Sequence, residues 1–297
     1  TFDRDFIRPY RGGMRPTPHD AASVDVFLAG VTDADGHPPL SEHKITTMRR
    51  RSGKVGIWSD REGLCLIAVA ARHGGDGHWA IEAALAQRRR SADDEEAAIR
   101  LASTLVGSRE PHTFWAFRSH QVEAARRIGY EEVRAVLRMS GPMPASAGGS
   151  VPGISISPMN ESDIKDIVGV NNEAFGDHPE QGRLTEEEFR SLMKLDWFRT
   201  AGVLVARSGD RVAGFCVTKR EVAGVGEVYV LAVAPAFSAS GIGSALVSRG
   251  LGLLADQGAA TARAWVDETN SPAVRLYQAM GLAEDFRNRE MIPATGG

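Results

Sequence analysis

The stretch EVYVLAVAPAFSASGIGSA, Glu227 to Ala245, decides the fold. An apolar strand runs out and stops at Pro235, a turn carries Gly241-x-Gly243, and a helix begins at once. Backbone N–H groups at a helix N-terminus, with glycines allowing close approach, form a cradle for a pyrophosphate. A lone GxG is more often only a tight turn, so its context decides. Here it follows Val203 to Ala206 and Val212 to Thr218, two strands joined by the hairpin signal Ser208-Gly209-Asp210. An antiparallel pair before the cradle, with no βαβ pattern, disfavours a dinucleotide site. By simple alternation Glu227, Tyr229, Leu231 and Val233 share one face of the strand, and Val228, Val230 and Ala232 the other. An acid in such a strand is either a strand-end residue left in water or a carboxylate held in a cleft as a general base.

Working outward, Ile154 to Ser157 reads as a strand, and Ser162 or Asp163 caps a helix reaching about Ala174. His178 to Gly182 is a loop, and Thr185 caps a helix whose first turn holds Glu186, Glu187 and Glu188. The cradle helix runs from about Ile242 to Gln257, Ala262 to Val266 is a strand, and Pro272 opens a helix that stops at Gly281. The first half repeats this order: a helix over Val24 to Val31, paired strands over Val55 to Ser59 and Leu64 to Ala71, and a strand over Trp79 to Leu85. A helix over Glu95 to Val106, a strand over His112 to Phe117 and a helix over His120 to Gly129 follow. The uncharged stretch SGPMPASAGGSVPG, Ser140 to Gly153, reads as a linker. These features predict a tandem repeat: an α+β fold of two domains, each a mixed, mostly antiparallel sheet flanked by helices. The expected domains are 1–140 and 154–297, with 141–153 between them.

Composition removes several classes. The 297 residues carry 35 Lys and Arg against 38 Asp and Glu, a net charge of -3, so no basic excess exists to neutralise phosphates and no nucleic-acid partner is expected. Cys65 and Cys216 cannot make a disulfide framework. Seven of the 8 His lie in the first half without paired ligand spacing, and no metal is expected. His73 and His78 flank a Gly-rich turn and read as loop residues. The longest purely apolar run, Leu64 to Ala71, is too short to cross a bilayer. Thr1 to Arg15 has no apolar secretory core. A cytoplasmic monomer without a membrane partner is expected.

The loop Ser238-Ala239-Ser240-Gly241-Ile242-Gly243 resembles the Q/R-x-x-G-x-G/A cofactor loop of the GNAT acetyltransferases, with Ser238 in place of the usual Gln or Arg. Asn171-Asn172-Glu173-Ala174-Phe175, then His178-Pro179-Glu180-Gln181-Gly182, Gly226-Glu227-Val228-Tyr229-Val230, and Asn270-x-x-Ala273-Val274-Arg275-x-Tyr277 resemble the mycothiol synthase family of tandem GNAT proteins. That resemblance implies acetyl transfer from acetyl-CoA to the cysteinyl amine of cysteinyl-glucosaminyl-inositol. It implies Glu227 as general base and Tyr277 as the acid that protonates the leaving sulfur. It implies a cofactor site made of the backbone of Leu231, Ala232 and Val233, of Ser238 to Ser244, and of Asn270, Ala273 and Arg275. Trp265, on the strand before the last helix, is either a core residue or a platform for pantetheine. Glu42, Glu180 and Lys219, together with Glu227, match the acceptor contacts, and the carboxylates of Glu42 and Glu180 with the Lys219 ammonium suit a polyol bearing a primary amine. Tyr277 has an alternative reading as a core tyrosine, and the three other charges as solvated surface groups. Cys216, with no adjacent His, reads as a strand residue.

In the first half the corresponding loop reads Gln87-Arg88-Arg89-Arg90-Ser91-Ala92-Asp93-Asp94-Glu95-Glu96. The glycines are gone, and four acids begin the helix. They stabilise its N-terminus and repel a pyrophosphate. This half is expected to be a scaffold that has lost cofactor binding and contributes Glu42 to the acceptor pocket. Two other readings stay open: a GNAT acetyltransferase for another small amine or aminosugar, and a non-catalytic CoA-binding protein.

Overall fold

Short glycine turns lay down the hairpins. Gly63 and Gly209 take the positive φ that such turns demand, at 112° and 58°. The computed structural model describes residues 13–73, 78–107, 110–144, 149–176, 182–221 and 224–294. In chain order its elements are β1 (Arg15–Pro16), α1 (Ala21–Asp35), α2 (Glu42–Arg50), β2 (Lys54–Asp60), β3 (Gly63–His73), β4 (His78–Leu85), α3 (Ala92–Ser103), β5 (His112–Ala116), α4 (Ser119–Arg127) and β6 (Tyr130–Pro142). Then follow β7 (Ser155–Pro158), α5 (Ile164–Ala174), α6 (Glu186–Leu192), β8 (Val203–Ser208), β9 (Arg211–Arg220), β10 (Val225–Val233), α7 (Ile242–Asp256), β11 (Thr261–Asp267), α8 (Ser271–Ala279) and β12 (Ala283–Pro293).

These elements form two compact units. Unit 1 runs to Ala135 and takes in the chain from Asn288 onward, and unit 2 is Val136–Arg287. The sheet of unit 1 has the order β1-β2-β3-β4-β5-β12, and that of unit 2 the order β7-β8-β9-β10-β11-β6. In each, the first four strands are antiparallel neighbours, the fourth and fifth are parallel, and the last is antiparallel to the fifth. The fold is therefore α+β and duplicated. The closing strand of each sheet comes from the other repeat in sequence: β6 pairs with β11, and the end of β12 pairs with β5.

The stretch expected to be a linker starts as structure. Ser140, Gly141 and Pro142 end β6 opposite Arg263, Ala262 and Thr261. A Cβ on Gly141 would lie 2.7 Å from the Gly281 carbonyl oxygen, so the close approach of that backbone needs glycine. His73 and His78, both expected in a loop, end β3 and begin β4, while 74–77 lie outside the described residues. The helix α2, which the sequence reading does not contain, is capped by Ser41, and the Glu82 carboxylate accepts from the Ser41 N–H and Oγ.

Unit 2 has a core on each face of its sheet. Under α7 and α8 lie Leu246, Leu251, Leu254, Val228 and Cys216, and under α5 and α6 lie Ile167, Phe189, Phe215 and Val217. Each such fully buried side chain contributes about 1.5–3 kcal/mol. Among the described residues, no helix is long and apolar enough to cross a membrane.

Candidate active site

The central strand β10 is not regular. It pairs with β9 from Gly226↔Arg220 to Val233↔Gly214, and the register slips at Tyr229. Such a bulge inserts one residue and inverts the alternation beyond it. Val228, Leu231 and Val233 accordingly pack under α7 and α8, while Tyr229, Val230 and Ala232 pack under α5 and α6. Simple alternation, which joins Leu231 and Val233 to the face of Glu227, is therefore corrected: past Tyr229 they stand on the opposite face.

The bulge coincides with a parting of strands. β10 and β11 pair only from Val225↔Thr261 to Val228↔Ala264, although both continue further. The Ala234 N–H bonds back to the Ala213 carbonyl on β9, at 2.9 Å. By alternation, the N–H and C=O groups of Leu231 and Val233 point to the side that β11 has left. This opens a slot bordered by unpaired strand backbone.

At the end of that strand sits the cradle. Gly241 is the N-cap of α7 with φ 84° and no side-chain cap, and Ala239 adopts a positive φ of 58°. Ala245 bonds to the Gly241 carbonyl at 3.0 Å, leaving the N–H groups of Ile242, Gly243 and Ser244 as the orphan donors of the first turn. Ser240 turns its Oγ back to the Phe237 carbonyl at 2.6 Å. A Cβ on Gly243 would meet only ordinary neighbours, Val233 at 3.7 Å and Leu276 at 3.8 Å. Protein packing does not require glycine there, and the bare backbone leaves that space open. Uncapped donors, no acid in the first turn and an open slot fit an anionic, extended ligand such as a pyrophosphate with its pantetheine arm.

Glu227 is only 5% exposed and stands in register between Lys219 on β9 and Arg263 on β11. Glu221, at the end of the β9–β10 hairpin, bonds its N–H to the Val225 carbonyl at 2.9 Å. Its carboxylate meets Arg263 at 2.6 Å and Lys219 at 3.9 Å. Burial, then the neighbouring Glu221 carboxyl, pushes Glu227 up to about 8, against the pull of Lys219 and Arg263. The Lys219 ammonium lies 5.1 Å from the Trp197 ring and 5.6 Å from that of Tyr229, and the two rings are 4.8 Å apart.

Tyr277 is buried in the core under α7, and burial, then the charges of Cys216 and Glu227, raises its phenol above the usual range. Cys216 is fully buried, its thiol pushed up to about 12, which makes it inert as a nucleophile. Trp265 is 36% exposed, on the face of Arg263, and meets Phe286 edge-on at 6.2 Å. Asn270 caps α8 by accepting from the Ala273 N–H at 3.2 Å, and Arg275 is exposed on that helix. Asn172 on α5 holds Leu184, just before α6, by two bonds, donating to its carbonyl at 2.9 Å and accepting from its N–H at 2.8 Å. Glu180, in that loop, lies outside the described residues. Glu42 begins α2 in unit 1 and is exposed; its assignment to the acceptor rests on resemblance. Sequence reasoning missed Glu221, Arg263 and Trp197. The signal available for Glu221 is an acid two residues beyond Lys219, at the end of the hairpin that carries Glu227.

The family model described as Acetyltransferase (GNAT) family matches residues 169–282. The mycothiol acetyltransferase of Propionibacterium freudenreichii subsp. shermanii is 30% identical over 282 residues, spanning 91% of this chain and 88% of that protein. A GCN5-related N-acetyltransferase from Sphaerobacter thermophilus superposes with a TM-score of 0.73 at 19% identity, over 96% of this chain and 97% of that one. A tandem GNAT protein from the clavulanic acid biosynthesis pathway gives 0.68 at 12%, over 96% and 98%. Both show the fold. The duplicated sheets, the glycine cradle at α7 and the whole-length relatives agree that the chain belongs to the mycothiol acetyltransferase family of tandem GNAT proteins and is an acyltransferase.

Proposed function

We propose that the protein acetylates the cysteinyl amine of cysteinyl-glucosaminyl-inositol, using acetyl-CoA, by direct transfer within unit 2. The observation that carries this is the buried carboxyl of Glu227, held beside the place where β10 and β11 part. Acetyl-CoA supplies the thioester. The N–H groups of Ile242, Gly243 and Ser244 bind its pyrophosphate, and the Leu231 and Val233 backbone pairs with the pantetheine arm and orients the thioester carbonyl. Glu227 takes the proton from the acceptor nitrogen. A carboxyl raised to about 8 is a stronger base than an ordinary glutamate and is matched to an amine. Tyr277, kept protonated by burial, donates its O–H to the departing sulfur. Lys219, held over Trp197 and Tyr229, offers a donor to acceptor hydroxyls.

The test is release of free thiol from acetyl-CoA with a panel of amines. The expected result is a kcat/KM for cysteinyl-glucosaminyl-inositol at least about 10-fold above those for glucosamine and cysteine, because the acceptor hydroxyls add charge-assisted bonds. Equal or better turnover of a simpler amine overturns the acceptor assignment.

A further inference from the structure

We propose that Glu221 is a positioning residue for Glu227: it engages both Lys219 and Arg263 and holds the Glu227 carboxyl at its side, so that Glu227 meets the acceptor amine as a base and not as half of a salt bridge. This inference rests on the reading of Glu227 as base. The register sets Glu227 directly between two cations, one on each neighbouring strand. A buried carboxylate flanked by two cations ionises readily and becomes a poor proton acceptor. In this structure, however, both cations reach Glu221, Arg263 at 2.6 Å and Lys219 at 3.9 Å. The Glu221 side chain also bonds to that of Glu227, which two carboxyls can do only by sharing a proton.

The groups facing Glu227 are Lys219 from β9, Glu221 from the hairpin end, Arg263 from β11 and Tyr277 from α8. The buried residues of α5 and α7 carry no titratable side chain. Among the described residues, Glu221 is the anion that acts on Glu227 beside Lys219 and Arg263. Its side chain is 26% exposed, so proton exchange with solvent has a route through it. In the proton-transfer step the acceptor N–H bond breaks as an O–H bond forms on Glu227, and the proton passes on to Glu221 or to water; formation of the C–N bond, cleavage of the C–S bond and protonation of the sulfur by Tyr277 proceed as in the proposed reaction.

The experiment uses the full-length protein labelled with 13C at the glutamate carboxyls. The Glu227 signal is assigned by its loss in Glu227→Gln. In Glu221→Gln its titration midpoint should fall by more than one pH unit, while Glu221→Asp should stay close to wild type. The rising limb of kcat/KM against pH should shift the same way, with kcat/KM above pH 8 reduced about three- to tenfold as the base weakens. A Glu227 midpoint unmoved by Glu221→Gln overturns the proposal and leaves the base reading intact. Wild-type turnover in Glu227→Gln instead sinks the base reading, and the carboxyl titration then still decides whether Glu221 sets the protonation of Glu227.

Discussion

The strand–turn–helix segments of the two units, β4 to α3 and β10 to α7, share a backbone plan and differ in what occupies it. Ala86 and Ala234 end their strands alike, each followed by a 3₁₀ turn and each bonding back to the neighbouring strand, at 2.8 and 2.9 Å. In both units the parallel pair parts early, after Ile81 in one and Val228 in the other. In unit 2 the Leu231 backbone borders an open slot. In unit 1 the equivalent carbonyl, that of Ala83, accepts from Gln121 Nε2 at 3.3 Å, and Gln121 Oε1 accepts from the Phe117 N–H at 2.9 Å. Gln121 is 1% exposed and bridges the parted strands, so a side-chain amide fills the place an extended amide ligand needs.

The helix starts diverge in the same way. Ser91 caps α3 by accepting from the Asp94 N–H at 3.2 Å. Asp94 pairs with Arg89 at 3.1 Å, and buried Glu95 meets His120 at 3.0 Å. At α3 the Asp94 N–H is satisfied from within by Ser91, whereas α7 has no side-chain cap. The two units share the fold, and what sets the proposed cofactor site of unit 2 apart is a helix start without a side-chain cap.

Several substitutions break or sharpen this contrast. The largest effect is expected from Glu227→Gln: turnover at neutral pH falls by about 10²–10⁴-fold while acetyl-CoA binding survives, since the cradle lies elsewhere. Steady-state kinetics beside a binding isotherm checks both halves. Next is Ser244→Asp, which gives α7 the acid that Asp94 gives α3. Acetyl-CoA affinity should fall roughly 10- to 100-fold by repulsion of the pyrophosphate. The unliganded helix should gain about 0.3–1 kcal/mol from its dipole. Opposite signs in calorimetry and thermal melting are the signature. Gln121→Ala in unit 1 should cost about 1–3 kcal/mol by orphaning the Phe117 N–H and the Ala83 carbonyl, and urea unfolding measures it.

A pH dependence follows as well. The folded carboxyl of Glu227 holds its proton to about 8, against 4.5 when unexposed to the fold. Its contribution to stability is full below the unfolded value and is lost as pH rises through the folded one. Glu227→Gln has no such slope. Its Tm relative to wild type should rise steadily between pH 5 and pH 9.

What was legible in the sequence was local. Gly209 and Pro235 mark a turn and a strand end, and Gly241 and Gly243 mark the cradle, because backbone geometry asks for those residue types. Glu227 stood out as an acid in an apolar strand. The bulge at Tyr229 was not legible, since register belongs to two strands and no single residue announces it. The placing of β6 was hidden because its partner is distant in sequence, with Ser140 opposite Arg263. Gln121, Glu221, Arg263 and Trp197 acquire roles only through contacts across strands and helices.

The account's central claim is that one cradle is open and the other closed, and titration calorimetry of the full chain with acetyl-CoA tests it most directly. One site per chain is predicted, weakened in Ser244→Asp and unaffected by Asp94→Ala. Two comparable sites per chain, or a single site that keeps its affinity in Ser244→Asp, would contradict it.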